Sequence, residues 1–113
     1  MESKTAVASL AALAQDARLG IFRLLVQKGP DGLCVGDIAA KFDMAPATLS
    51  FHLKELTGAG LLVARQEGRF IYYAPDFGEM NTLVSYLTEN CCGGASCAPA
   101  GKPVARKRKE RVA

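Results

Sequence analysis

Long apolar runs are missing from this chain of 113 residues. None approaches the roughly 20 residues that a membrane-spanning helix requires, so no membrane is expected as a partner. Histidine is almost missing too. The only one, His52, sits inside a helical pattern, and no glycine-rich phosphate loop follows a strand. An enzyme that works through its thiols, such as a reductase, therefore finds neither a spare general base nor a nucleotide site, and the chain reads as a non-enzyme. Charge of one sign is scarce as well: the net is only +3, and it is unevenly placed. From Lys102 onward six Lys or Arg accompany one Glu, which leaves eight positive and ten negative groups in residues 1 to 101. A body that is slightly acidic excludes bulk basic attraction to nucleic acid, so any DNA surface must be local.

With an apolar fraction of 50%, the chain suits one domain with a modest core. Ala6 to Leu13, followed by Ala14, has the look of a short secretory h-region. However, Glu2 occupies what should be a basic leader, and Val7, Leu10 and Leu13 share one helical face. The expectation is a helix, in a cytoplasmic protein. In a reducing compartment four cysteines read as metal ligands or reactive thiols rather than as a disulfide framework.

The stretch from Asp37 to Gly60 organises the rest. Ile38, Ala39 and Phe42 mark a short helix, Asp43-Met44 a tight turn, and Leu49, Leu53 and Leu56 an apolar stripe on a second helix. Ala47, Thr48, Ser50, Phe51, Lys54 and Glu55 point the other way. This is a helix-turn-helix pattern. Pro46 suits the first turn of the second helix, Ala45 is a poor N-cap, and Gly58 and Gly60 are expected to supply the left-handed conformations that end it.

From Leu61 to Ala74 the period becomes alternating. β-Branched and aromatic residues flank Gln66-Glu67-Gly68, which reads as a β-hairpin with Arg65 and Arg69 on its two arms. A hairpin directly after such a helix suggests a wing whose arginines meet the phosphate backbone. The alternative is two solvated surface arginines, one balanced by Glu67.

Elsewhere the pattern predicts a helix over 5–14, a second over 17–27 capped by Asp16 and buried on most sides, and a last one from the Asp76 cap to about Asn90. The first and last helices have nothing obvious to cover in so small a domain, so their stripes are expected to form a self-complementary dimer seam; packing on the domain's own core is the other reading. The fold class is α+β, mainly α: a homodimeric winged helix-turn-helix of about five helices and a hairpin. It occupies residues 1–90, ahead of a Cys-rich segment at 91–101 and a disordered basic tail at 102–113.

Ala14 to Leu25, Leu33 to Ala39, Thr48 to Leu53 and Gly68 to Tyr73 together resemble the arsenical-resistance repressor (ArsR/SmtB) family of winged-helix regulators. The most specific parts are Ser50-Phe51-His52-Leu53 and Gly68-Arg69-Phe70-Ile71-Tyr72-Tyr73. The resemblance implies a homodimeric repressor that leaves double-stranded operator DNA when a toxic metal or metalloid binds. It also implies Thr48, Ser50 and His52 as contacts to bases or phosphates. To these the helical wheel adds Phe51, suited to a thymine methyl or to packing beside the wing; for His52, at the flank, a structural hydrogen bond is the other reading. Two sensor sites of the family are broken here. The Cys-Val-Cys-Asp pair has Gly36 at its second cysteine, and Asp76 is followed by Phe77-Gly78 where zinc-binding members carry Asp-x-His.

Three thiols remain together, Cys91, Cys92 and Cys97. Soft ions select thiolates, and trivalent arsenic and antimony, each keeping a lone pair, favour three of them in a trigonal pyramid. Cys92 to Cys97 spans at most roughly 17 Å, and Gly93-Gly94 lets the segment fold back. Zinc, which wants four ligands in a closed site, fits less well unless Cys34 or a second subunit contributes. A C-terminal Cys-Cys with a later Cys also resembles the sensor of one arsenic-responsive branch. The expected function is a transcriptional repressor released by arsenic(III) or antimony(III), with no organic cofactor. Zinc, cadmium, lead or thiol oxidation as the signal, and a redox enzyme, stay open as alternatives.

Overall fold

The computed structural model describes residues 1–94. Cys97 and the basic segment from Lys102 lie outside the described residues. Five helices and a three-stranded antiparallel sheet follow in the order α1 (Ser3–Leu13), α2 (Asp16–Lys28), β1 (Leu33–Cys34), α3 (Val35–Phe42), α4 (Pro46–Gly58), β2 (Leu62–Glu67), β3 (Phe70–Pro75) and α5 (Phe77–Leu87). A short 3-10 turn covers Cys91–Gly94.

One apolar cluster holds these elements together. Ile21, Phe22 and Leu25 of α2, Ile38 of α3, and Leu49, Leu53 and Leu56 of α4 are buried in it with Ala12, Leu61 and Leu62. The leucine stripe of α4 thus lies where its spacing predicts. Helix α2 is less enclosed than its composition implies: Leu19 is exposed, and burial is confined to one face. Its cap also differs. Gln15 stands at the N-cap and accepts from the Arg18 N–H at 2.8 Å, while Asp16 is the first helical residue, where its carboxylate faces the positive end of the helix dipole.

Helix α1 has two working faces. Ala6, Ser9 and Ala12 are buried, and the helix touches α2, α4 and α5. The expectation that it covers nothing within its own domain is therefore corrected: small residues let it lie close against the core. Val7 and Leu10, on the other face, are exposed. Helix α5 is similar, with Leu83 buried, Met80 against the core, and Val84 and Leu87 exposed. Its N-terminus is capped as predicted, Asp76 Oδ1 accepting from the Glu79 N–H at 3.1 Å.

The end of α4 is built by one glycine rather than two. Gly60 has φ +83°, whereas Gly58 is still helical. The Leu61 N–H reaches Leu56 O at 3.0 Å and the Gly60 N–H reaches Thr57 O at 3.0 Å, the paired bonds of a Schellman closure. Leu61 O in turn accepts from the Asp76 N–H at 2.8 Å, so the end of α4, the root of the wing and the start of α5 meet at one residue.

The sheet has the order β1-β3-β2. Two-residue β1, which the sequence pattern gives only as a lead-in, pairs Leu33 with Tyr73 and Cys34 with Tyr72. In the hairpin Gln66 and Glu67 belong to the strand, opposite Ile71 and Phe70, and the turn is Gly68-Arg69. Gly68, at φ +65°, takes the position that demands a left-handed residue.

Gly32 packs under β3 at φ +75°, and a Cβ there would lie 2.4 Å from Tyr73 O. Gly36, inside α3, has open space around it. Gly32→Ala should cost about 2 kcal/mol or more, and Gly36→Ala should add roughly 0.5 to 1 kcal/mol. Denaturant unfolding at matched protein concentration checks both signs.

Candidate functional site

Burying Leu49, Leu53 and Leu56 turns the opposite side of α4 outward. Thr48, Ser50 and Phe51 are all exposed, Phe51 by 55%. Among the described residues neither Thr48 nor Ser50 has a side-chain hydrogen-bond partner, so both hydroxyls are available to an external acceptor or donor. Pro46 opens the helix, and Ala45 offers no side-chain cap. The first-turn N–H groups of α4 therefore point outward beside Thr48, a geometry suited to a phosphate oxygen.

His52 does not share that face. It is only 7% exposed, and its Nδ1 lies 3.3 Å from Nη1 of Arg18. A guanidinium carries no acceptor, so Arg18 donates and Nδ1 accepts. Of the two readings of His52, a DNA contact or a structural hydrogen bond, the buried ring and its Arg18 partner match the second. Its ring also stands 5.7 Å from that of Phe51, tilted by 59°.

The two wing arginines differ. Arg65 is occupied: its Nε is 2.6 Å from Glu67 Oε2, Nη2 donates to Asp31 O at 3.0 Å, and the guanidinium lies 5.2 Å from the Tyr72 ring centroid. An exposed pair of this kind adds little stability, but it halves the charge the wing presents. Arg69, at the turn, has no ion-pair or hydrogen-bond partner among the described residues. The wing's available cation is therefore at its tip.

The thiols fall into two places. Cys34 is the N-cap residue of α3, and its Sγ donates to Asp37 Oδ2 at 3.3 Å. Cys91 and Cys92 follow α5, both exposed, with their sulfurs 3.6 Å apart. Two sulfurs sharing one ion through bonds of about 2.3 Å lie no more than roughly 4.6 Å apart, so this pair has a chelating separation. Among the described residues no three His, Cys, Asp or Glu side chains gather as a metal site, and the third expected thiol, Cys97, is outside that range.

A helix-turn-helix domain model matches residues 13–65. The arsenical resistance operon repressor of Bacillus subtilis (strain 168) is 38% identical over 81 residues, 72% of this chain and 73% of that protein. This chain belongs to the ArsR family. It is also similar to the cadmium resistance transcriptional regulatory protein CadC homolog of Staphylococcus aureus, 37% identical over 65% of this chain and 59% of that one. Among solved structures, the homodimeric winged helix-turn-helix domain Mb0332 from Mycobacterium bovis, a possible ArsR-family regulator, superposes with a TM-score of 0.61 at 30% identity, covering 82% of this chain and 86% of that one. Within this ArsR-family chain the recognition helix is α4 and the wing is β2–β3.

Arg18 was not legible as a site residue, because its partner on α4 lies 34 positions away. For the wing, Arg69→Ala should lower the magnitude of the slope of log Kobs against log[salt] by about one, as one phosphate contact does. Glu67→Gln, which releases Arg65, should steepen it. Anisotropy titrations on duplex DNA across a salt series measure both.

Proposed function

We propose that this chain is a homodimeric repressor whose two recognition helices enter successive major grooves of an operator, and whose release is driven by a soft metalloid ion on cysteine thiolates. The observation that carries this reading is the place of the thiols. Helix α5 ends at Leu87 rather than at about Asn90, and the sulfur pair of Cys91 and Cys92 lies one short turn beyond its exposed Val84 and Leu87. A ligand event at the thiols therefore acts beside an unburied apolar stripe.

That stripe, with Val7 and Leu10 of α1, is the face assigned to dimerisation. Each of these aliphatic side chains gains about 1.5 to 3 kcal/mol when fully buried, and α1 already touches α5 within one chain. That the similar Mycobacterium bovis domain is homodimeric supports a dimer. Two-fold symmetry gives two copies of α4, suited to a palindromic pair of half-sites.

Trivalent arsenic or antimony is the preferred inducer. Cys91 and Cys92 supply two thiolates at a suitable separation, and Cys97 supplies the third. The ligands must lose protons to bind, so uptake releases protons. Drawing three sulfurs together alters the backbone after Leu87, beside the seam, and so sets inducer against operator through a coupling free energy. The sequence and name of the Bacillus subtilis relative support this choice. Cadmium is the second reading, favoured by the cadmium-resistance relative and by the same thiol softness. Thr48, Ser50 and Phe51 read the groove, and Arg69 holds the backbone.

Cys91→Ser, Cys92→Ser and Cys97→Ser should each leave operator affinity within about twofold while reducing arsenite-induced release at least tenfold, and Cys34→Ser should change neither. Anisotropy of the reduced protein on its upstream DNA, titrated with arsenite, antimonite and cadmium, is the measurement. Full arsenite response in Cys97→Ser would sink the three-thiol site. Separately, Val84→Asp should convert the dimer to monomer in sedimentation velocity and lower operator affinity by more than tenfold.

A further inference from the structure

Arg18, on α2, is among the described residues the one side chain that hydrogen-bonds to both α1 and α4. Its Nε donates to Ala12 O at 2.7 Å, in the last turn of α1, where helix carbonyls lack a partner. Its Nη1 donates to His52 Nδ1 at 3.3 Å. His52 is buried on α4 with Leu49, Leu53 and Leu56, and apolar burial, being non-directional, sets the depth of a helix more tightly than its roll. A directional bond at the flank removes that freedom, because rolling α4 lengthens the bond on one side. His52 stands beside Phe51, and the contact between their rings passes the constraint to the exposed face.

We propose that Arg18 is a positioning residue for DNA recognition: holding Ala12 O with one arm and His52 with the other, it fixes the roll of α4, and hence the direction of Thr48, Ser50 and Phe51, to the seam helix α1. This rests on the repressor reading and deepens it. The fork matters, since the three N–H groups of a lysine ammonium radiate from one rotatable nitrogen and do not present two donors in a fixed plane. Arg18 reads no base and holds no phosphate. Its loss therefore lowers specific binding while leaving nonspecific binding and the salt dependence alone, whereas simple loss of folded protein lowers both kinds of binding together.

The test measures affinity for the chain's own upstream operator and for a scrambled duplex, across a salt series, for wild type, Arg18→Lys, Arg18→Ala, His52→Leu and His52→Asn. The expected result is a fall of about tenfold in the ratio of specific to nonspecific affinity for both Arg18 variants and for His52→Leu, with the slope in log[salt] unchanged. The double variant Arg18→Ala with His52→Leu should be no worse than either single one. His52→Asn, whose Oδ1 can replace Nδ1 as acceptor, should recover most of the ratio. An unchanged ratio in Arg18→Lys and Arg18→Ala overturns the inference, as does a slope reduced by about one, which marks a direct phosphate contact. If wild type shows no preference for the operator, the repressor reading fails, and the inference with it.

Discussion

Three leucines of α4, Leu49, Leu53 and Leu56, are withdrawn from water into the same core as Ile21, Leu25 and Ile38, and which side of that helix faces outward follows from their burial. Burying such side chains is worth a few kcal/mol apiece, far more than any contact on the exposed face. The helix therefore cannot trade its inner face for better outer contacts. A surface of hydroxyls and one aromatic ring stays presented whether or not DNA is there. Function here is an exposed remainder, and the core decides which remainder it is.

Electrostatics works at a finer grain on the same scaffold. The wing carries two arginines by composition, but only Arg69 is without a partner among the described residues, because Glu67 and Asp31 O engage Arg65. Cation–π contact with Tyr72 adds to the restraint on Arg65. The side chain braces the middle of the hairpin, at the Arg65–Tyr72 pair, and leaves the tip to meet a polyanion. On a slightly acidic body, the wing tip thus keeps a positive charge without a partner among the described residues.

Features that depend on neighbours in sequence were legible. The leucine stripe, the Asp76 cap, the uncapped start at Ala45 and Pro46, and the hairpin all express periods or local chemistry of a few residues. Features that depend on distant neighbours were not. Strand β1 is two residues long and exists only through Tyr72 and Tyr73, which no period announces. His52 lies at the flank of the wheel, where period alone leaves a DNA contact and a structural hydrogen bond both open, and only Arg18, distant in sequence, separates them. Of the stripe on α1, Val7 and Leu10 are exposed while Leu13 packs against the core, and the opposite face of Ala6, Ser9 and Ala12 escapes a hydropathy pattern because small residues matter through closeness of approach. Gln15 displaced Asp16 as a cap although aspartate is the stronger capping residue, showing that chain entry geometry outranks propensity at that junction.

Leu61 binds the Schellman closure to the first residue before α5 through its own N–H and C=O. The interval between recognition helix and wing is thus a rigid gauge. Its length is set by backbone bonds inside the core, out of reach of surface substitution. In the proposed complex this gauge would fix the offset between the groove offered to α4 and the phosphates offered to the wing tip. Divergence of such a protein toward new operators is therefore channelled into changes of lettering at fixed positions, while the spacing of those positions along the DNA is inherited with the fold.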